Sequence, residues 1–199
     1  YSCSYIWSKE RFPQHKEMLA QLQQKGYKIN LWEHAYVHPT SPIRKALEPY
    51  LYTAFHTYQQ EGIPPFCPLL MDDPKDERLR TISDQYMIGN GMMAAPLYEN
   101  KKSRKVYFPE GVWYNFNTNE KYEGNREYEI TTELNQLPLY VRQGTLLPLA
   151  EPVPYINTQT VFNLNCKIYG TPTATCQLFE DDGVSYNFQK GQFLSLIHI

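Results

Sequence analysis

The spacing of apolar residues changes along the chain, from a helical period in the first part to short runs separated by turn residues in the second. In one stretch of the first part, apolar residues recur at intervals of three and four, which predicts an amphipathic helix. They are Leu47, Tyr50, Leu51, Ala54, Phe55 and Tyr58. Pro49 predicts either a kink in this helix or its first turn, and Gly62 followed by prolines predicts its end.

A helix followed by a strand is predicted upstream of it. Pro13 suits a first helical position, and Gly26 suits a C-terminal cap. The apolar residues between them at helical spacing are Met18, Leu19 and Leu22. The mostly apolar stretch 27–37 then predicts a strand, so this part is typical of one helix-to-strand step in a parallel sheet or barrel.

Short strands with turn residues between them follow in the second part. We expect strands at 92–98, 105–108, 112–116, 128–130, 137–142 and 145–148. Their spacing favours an antiparallel β-sandwich with its own core. The expected core members are Val106, Phe108, Trp113, Phe116 and Val141. The run Gly-Asn-Gly at 89–91 lacks the third glycine and the following helix of a nucleotide loop, so a tight turn is expected there.

A second set of strands is predicted near the end of the chain. Pro152 and Pro154 indicate a linker, and strands are expected at 160–169 and 175–179, closed by a turn at 181–183. This set is too short to form a complete sandwich.

Composition narrows the classes of partner. The net charge of -2 gives no electrostatic reason to expect a nucleic acid or an anionic membrane as partner. The apolar runs are too short to predict a membrane span.

The four cysteines, Cys3, Cys67, Cys166 and Cys176, form no metal-ligand spacing and are expected to be small buried thiols, although Cys166 and Cys176 could face each other across a hairpin. The 15% aromatic content suits strand-rich domains and carbohydrate-contacting surfaces alike.

Several blocks resemble glycoside hydrolase family 31, the retaining α-glucosidase and α-xylosidase family. The block RFPQHKEMLAQLQQKGYKINLWEHAYV is similar to a helix and strand of its (β/α)8 barrel. The block RKALEPYLYTAFHTYQQEGIPPFCPLLMDDPKDE is similar to the late barrel helix and the stretch after it. Three blocks are similar to its proximal C-terminal β-sandwich: DQYMIGNGMMAAPLY, RKVYFPEGVWYNFNT and LPLYVRQGTLLPLAEP. The block LFEDDGVSYNFQKGQF resembles the opening of its distal β-sandwich. The resemblance implies a barrel remnant followed by antiparallel all-β domains, with an oligosaccharide or glycoside as substrate and no cofactor.

The chain departs from the family pattern at several positions. Cys67 stands where the family usually has an arginine, and His34 with Ala35 replaces the usual Asn-Pro. The largest departure lies between Pro42 and Arg44, where the segments that carry the family's two catalytic aspartates are missing. We therefore assign no catalytic residue, and expect this chain by itself to be inactive. The alternative is a non-catalytic carbohydrate-binding or structural β-sandwich module.

Three residues remain as candidate sugar contacts. Trp32, Glu33 and His34 fall at the carboxyl end of the predicted strand 27–37, the end from which barrel enzymes build their sites. We expect them near bound sugar in an intact relative. The competing interpretation makes Trp32 a core residue and His34 a polar residue of the barrel rim. His56 lacks any partner pattern and is expected on a surface or helix face.

Two acidic clusters are weighed as sites and not favoured. Asp72, Asp73 and Asp76 occupy one proline-bounded loop, and neighbouring carboxylates on one loop cannot flank a sugar as a retaining mechanism requires. A solvated loop is expected instead. Asp181 and Asp182 are expected to form a turn, with a calcium site as the weaker alternative.

The expected organisation follows from these patterns. Residues 1–87 form the barrel remnant, with the junction near 42–44, residues 88–152 the proximal β-sandwich, and 153–193 the truncated start of the distal one. The chain opens on Tyr1 without a start methionine, so its true N-terminus is expected to be missing. The last residues, LSLIHI at 194–199, are similar to a sequencing-library scar and are expected to lie outside the native fold.

Overall fold

The computed structural model describes residues 14, 17–18, 21, 24–25, 42–97, 102–132, 136–153, 160–191, 193 and 197–198. The chain divides into two compact units, residues 1–38 and 39–199. In the first unit Met18 and Gln21 are helical, as predicted. The Met18 N–H donates to the Gln14 carbonyl at 3.0 Å. The predicted strand at 27–37 lies outside the described residues.

Two helices open the second unit, a short one at Pro42–Ala46 and a long one at Glu48–Glu61. Pro49 lies in the first turn of the long helix, where a missing N–H breaks no helical hydrogen bond. Gly62 ends the helix in the left-handed conformation, with φ 75°, and its N–H donates to the Tyr58 carbonyl at 2.9 Å. The predicted helix is confirmed, and Pro49 marks its start.

The rest of the second unit is mostly β-structure. Its strands are β1 Phe66–Pro68, β2 Tyr86–Ile88, β3 Met92–Ala94, β4 Ser103–Phe108, β5 Val112–Asn115, β6 Lys121–Glu123, β7 Arg126–Thr131, β8 Leu139–Arg142, β9 Leu146–Ala150, β10 Leu164–Ile168, β11 Thr175–Cys176 and β12 Ile197–His198. A six-stranded sheet has the order β1-β2-β3-β8-β5-β6, and three two-stranded ribbons pair β4 with β7, β9 with β10 and β11 with β12. All of these pairings are antiparallel.

Both faces of the six-stranded sheet are covered, and successive residues of its central strands belong to different cores. In β8 the Tyr140 side chain lies in one core, whereas Leu139 and Val141 lie in the other. The same alternation places Met93 in the first core and Met92 in the second. The pleat of a strand sends successive side chains to opposite faces, so a sheet covered on both faces builds two separate cores.

The first core lies between the six-stranded sheet and the β4–β7 ribbon. Phe108 of β4 stacks on Tyr122 with ring centroids 4.8 Å apart and meets Tyr140 edge-on at 4.7 Å. Trp113 is fully buried beside them, and its indole N–H donates to the Pro109 carbonyl at 2.9 Å. This arrangement of sheet and ribbon confirms the predicted core residues Val106, Phe108 and Trp113.

The second core lies between the opposite face of the sheet and the long helix with β9. Tyr50 ties the helix to the turn that joins β2 and β3. Its hydroxyl donates to the Ile88 carbonyl at 2.7 Å and accepts the Gly91 N–H at 3.0 Å. Gly89 in that turn has φ 57°, and a Cβ there would lie 2.6 Å from the Tyr50 hydroxyl. The Gly-Asn-Gly run is therefore a tight turn, as expected, shaped to receive Tyr50.

The structure corrects the sequence prediction in two respects. Val141 and Phe116 pack in the second core, so the predicted single core is two. Strands β1, β2 and β6 were not predicted, because each is only three residues long and too short to display an alternating pattern. The two-residue strand β12 was not predicted either, and it pairs with β11 although it lies in the segment 194–199 that was expected outside the native fold. The described part of the chain is mostly antiparallel β-structure with few helices, and none of its strand pairs is parallel, as the strand pairs of a (β/α)8 barrel are.

Candidate functional site

The sugar contacts predicted from the sequence, Trp32, Glu33 and His34, lie outside the described residues. Their assignment stays a prediction. Candidate functional groups in the described part of the chain lie in the acidic segments 72–76 and 181–182, at Arg142 above the Trp113 ring, and in a cleft beside the long helix.

Asp72 holds an arginine of the sheet in place. Its carboxylate accepts a hydrogen bond and forms an ion pair with the Arg142 guanidinium, which in turn lies 4.7 Å above the Trp113 ring. The side chain of Asp72 is only 15% exposed. Burial, followed by the charge of Asp72, raises the pKa of the neighbouring Cys67 thiol. Asp72 therefore links the loop of Asp72, Asp73 and Asp76 to the sheet through Arg142, and it is not a solvated loop residue as expected from the sequence.

Asp76 caps a 3-10 helix at Glu77–Thr81. Its carboxylate accepts the Arg78 backbone N–H at 3.0 Å and the Arg78 Nε–H at 2.7 Å. The Tyr107 hydroxyl donates to the same carboxylate at 3.2 Å. The hydrogen bond from the Arg78 side chain lowers the pKa of Asp76. A carboxylate held ionised in this way can act as a cap but not as a proton donor near neutral pH.

Asp181 and Asp182 form a turn, as predicted. Asp182 accepts the Ser185 hydroxyl at 2.6 Å and the Ser185 N–H at 2.9 Å. Asp181 accepts the Gly183 N–H at 2.9 Å and the Tyr52 hydroxyl at 2.7 Å, which links the turn to the long helix. The Ser185 hydroxyl lowers the pKa of Asp182. No group of three or more metal-binding side chains occurs among the residues that the structure describes.

The cysteines in the described part of the chain, Cys67, Cys166 and Cys176, are free thiols. Burial, with a smaller contribution from Cys166, raises the pKa of Cys176 to about 11. Its thiol therefore stays protonated near neutral pH and is a poor nucleophile.

A cleft of about 280 Å³ lies between the long helix and the C-terminal segment, which comprises residues 160–191 and 193. We call it the helix cleft. It is lined by Thr53, His56, Thr57, Gln60, Glu61, Gln177, Phe179 and Phe193. The helical residues among these recur at intervals of three and four, so they form one face of the helix.

Stacked rings form one wall of the helix cleft. The His56 imidazole lies parallel to the Phe179 ring, with centroids 3.7 Å apart and 4° between the planes. Phe193 packs against Phe179 at 5.6 Å and keeps 41% of its surface exposed. The Phe179 backbone N–H donates to the Thr53 hydroxyl at 2.9 Å, which fixes this wall to the helix.

Polar side chains line the rest of the helix cleft. Gln60, Glu61 and Gln177 are exposed, and in the described part of the chain none of them has a side-chain hydrogen bond or ion pair. This cleft is not predicted from the sequence, in which His56 is expected on a helix face or surface. The sequence does show polar residues at helical spacing beside the apolar face of the long helix, namely Thr53, Thr57 and Gln60. It does not show that Gln177, more than a hundred residues away, lies opposite them.

The chain is similar to known carbohydrate-active proteins. Residues 62–147 match the family described as the glycosyl hydrolase family 31 C-terminal domain. An alpha-xylosidase of Saccharolobus solfataricus is 32% identical over 155 residues, which cover 76% of this chain and 21% of the relative. Alpha-glucosidase 2 of Bacillus thermoamyloliquefaciens is 30% identical over 151 residues, covering 74% of this chain and 19% of the relative.

A solved structure gives the same result in three dimensions. The family 31 dextranase of Flavobacterium johnsoniae, complexed with isomaltotriose, superposes with a TM-score of 0.72 at 28% identity. The superposition covers 76% of this chain and 19% of the dextranase. This chain thus spans about a fifth of the length of the relatives that it matches. No helix among the described residues is long and apolar enough to cross a membrane.

Proposed function

The chain belongs to glycoside hydrolase family 31, and on this basis we propose that it is a segment of a retaining α-glycosidase that hydrolyses α-linked glucosides or xylosides. The family match over residues 62–147 carries this proposal, because it coincides with the six-stranded sheet and the β4–β7 ribbon. The names of the relatives, an alpha-xylosidase and an alpha-glucosidase, support the choice of sugars. In such an enzyme the substrate is an oligosaccharide or glycoside, and double displacement needs no cofactor.

The proposal includes the organisation of the chain. Residues 1–87 are the remnant of the catalytic barrel together with the stretch after its late helix, in which β1 and β2 already join the six-stranded sheet. Residues 88–152 are a proximal β-sandwich and 153–193 the start of a distal one. Trp32, Glu33 and His34 belong to the sugar-facing end of a barrel strand in the parent enzyme. Barrel enzymes build their sites at the carboxyl ends of their strands, which supports this placement.

We further propose that the chain by itself does not hydrolyse glycosides. A retaining glycosidase needs two carboxyl groups about 5 Å apart on opposite sides of the glycosidic bond, one of them protonated. The carboxylates singled out from the sequence serve other contacts: Asp72 pairs with Arg142, Asp76 caps a helix, and Asp182 closes a turn. Hydrogen bonds also lower the pKa of Asp76 and of Asp182, which disfavours a role for either as general acid.

The test is an assay of the purified chain with aryl α-glucosides and aryl α-xylosides. We expect no release of aglycone above that of a mock purification from the same host. The Asp72→Asn variant, checked for folding by circular dichroism, serves as the control for a hidden active site. Turnover by the chain that is lost in Asp72→Asn while the variant stays folded would contradict the proposal.

A non-catalytic carbohydrate-binding module is the second candidate. Its sandwich form, with a row of exposed aromatic residues on the sheet, is not favoured. Among the described residues the large exposed aromatic side chains lie outside the sheet strands, on the long helix and in the C-terminal segment. One observation still favours sugar binding by this chain, and it lies in the helix cleft.

A further inference from the structure

The helix cleft combines an aromatic wall with polar side chains that have no partner among the residues that the structure describes. Such a combination suits a sugar ring, because the C–H bonds on one face of a pyranose pack on an aromatic ring while its edge carries hydroxyl groups. Phe193 presents an exposed ring, and the pair of His56 and Phe179 behind it is held rigidly by stacking at 3.7 Å. The wall is thus already formed before any ligand binds.

The polar groups of the helix cleft match the hydroxyl pattern of a sugar. The carboxamides of Gln60 and Gln177 each offer two N–H donors and one acceptor oxygen, and the Glu61 carboxylate offers acceptors only. Vicinal hydroxyl groups donate and accept at the same time, so a set of amides with one carboxylate satisfies them. Only one of these side chains is charged, which favours a neutral ligand over an anionic one.

The size of the helix cleft limits the ligand. Its volume of about 280 Å³ lies just below the range of about 300–1,000 Å³ that is usual for drug-sized ligands. One sugar ring fits such a volume, whereas a long oligosaccharide has to extend beyond it. The open side of the cleft is compatible with the end unit of a chain.

We propose that the helix cleft binds the terminal pyranose of a short neutral oligosaccharide, with Phe193 as the stacking ring and Gln60 and Gln177 as hydrogen-bonding groups. The inference goes beyond glycoside hydrolysis, since it concerns binding without chemistry. A chain that binds sugar here and releases no aglycone satisfies both proposals, and each can fail separately because binding and turnover are measured separately.

The experiment is a titration of the full chain, labelled with ¹⁵N, with isomaltotriose, followed by amide chemical shifts. We expect saturable shifts at Gln60, Gln177 and Phe179. The Phe193→Ala variant should raise the dissociation constant about tenfold, because it loses the stacked ring. The Phe193→Trp variant keeps an aromatic ring, so its dissociation constant should stay within about twofold of that of the wild-type chain. Loss of one amide in Gln60→Ala or Gln177→Ala should weaken binding about fivefold.

The matched control is Gln59→Ala, which changes an exposed glutamine on the same helix that does not line the cleft. It should leave binding unchanged, and the amide shifts of β3 and β8 in every variant should show an intact sheet. The proposal is overturned if isomaltotriose produces no saturable shift, or if glycerol at equal hydroxyl concentration produces the same shifts. It is also overturned if Gln59→Ala weakens binding as much as Gln60→Ala, or if Phe193→Ala, with its sheet intact, binds like wild type.

Discussion

The six-stranded sheet and the C-terminal segment, residues 160–191 and 193, both include many apolar residues, but only the C-terminal segment leaves large apolar side chains exposed. In the sheet Met92, Met93 and Tyr140 have no exposed surface, whereas in the C-terminal segment Val161 is 81% and Tyr186 is 76% exposed. The difference lies in what covers them. The sheet is sandwiched between a ribbon and a helix, and its side chains find partners on both faces.

The C-terminal segment is held mainly by individual contacts. Phe179 stacks on His56 and donates its N–H to Thr53, and Asp181 accepts the Tyr52 hydroxyl. Among the described residues, this segment has the five-residue pairing of β10 with β9 and a two-residue pairing of β11 with β12. Burial on two faces, and not apolar composition, therefore separates a stable core from a segment attached to it.

The largest expected effect contrasts one aromatic residue from each region. Trp113→Ala should lower the free energy of unfolding by about 3–5 kcal/mol, because it leaves a cavity in the first core. Tyr186→Ala removes an exposed ring from the C-terminal segment and should change it by less than about 0.5 kcal/mol. Urea denaturation measures both. Equal losses in the two variants would show that the sheet core does not carry the stability of the fold.

High pH should weaken the second core. Burial raises the pKa of Tyr50 from 10.0 to about 12. Below pH 10 the phenol is neutral in both states, so its contribution is fully present. Between pH 10 and 12 the unfolded state loses this proton while the folded state keeps it, and stability should fall by about 1.4 kcal/mol per pH unit for this group.

The pH prediction is checked by urea unfolding at several values between pH 9 and 12, with tyrosinate absorbance as a second probe. Burial also raises the pKa of Tyr140 and of Tyr169, which adds to the loss in the same direction. The Tyr50→Phe variant should show a shallower decline above pH 10. An equally steep decline in the variant would remove Tyr50 as a cause.

The tight turn at Gly89 tests how closely the helix meets the sheet. Gly89→Ala should cost about 2–3 kcal/mol, since it adds strain at positive φ to a clash with the Tyr50 hydroxyl 2.6 Å away. Gly62→Ala has the same sign of φ but nothing within 4 Å of the added Cβ, and should cost only about 1 kcal/mol. Thermal unfolding of both variants gives the difference. Identical melting temperatures would mean that Tyr50 moves aside freely.

The smallest expected effect concerns the attachment of the C-terminal segment. Thr53→Val removes the acceptor of the Phe179 N–H and should cost about 1 kcal/mol. Hydrogen exchange at the Phe179 amide should accelerate, while amides in β3 keep their protection. Thr57→Val is the control, because that hydroxyl donates only within the helix, to the Thr53 carbonyl at 3.1 Å. Unchanged exchange at Phe179 in Thr53→Val would show that stacking alone holds the segment.

Local features of the fold could be predicted from the sequence. The long helix, its start at Pro49 and its end at Gly62 follow from residues within a few positions of each other. The strands around Val106 and Trp113 alternate clearly enough to be recognised. These predictions succeed because backbone preferences and short periods act over one or two turns of chain.

The family, the long helix and most of the strands follow from the sequence alone, since each depends on local patterns or on blocks of residues in order. Three features required the folded chain: β8 lies between β3 and β5, Val141 and Trp113 face different cores, and Gln60 and Gln177 line one cleft. The physical reason is that a period of two assigns a residue to one of two faces but says nothing about which distant strand or helix will cover that face.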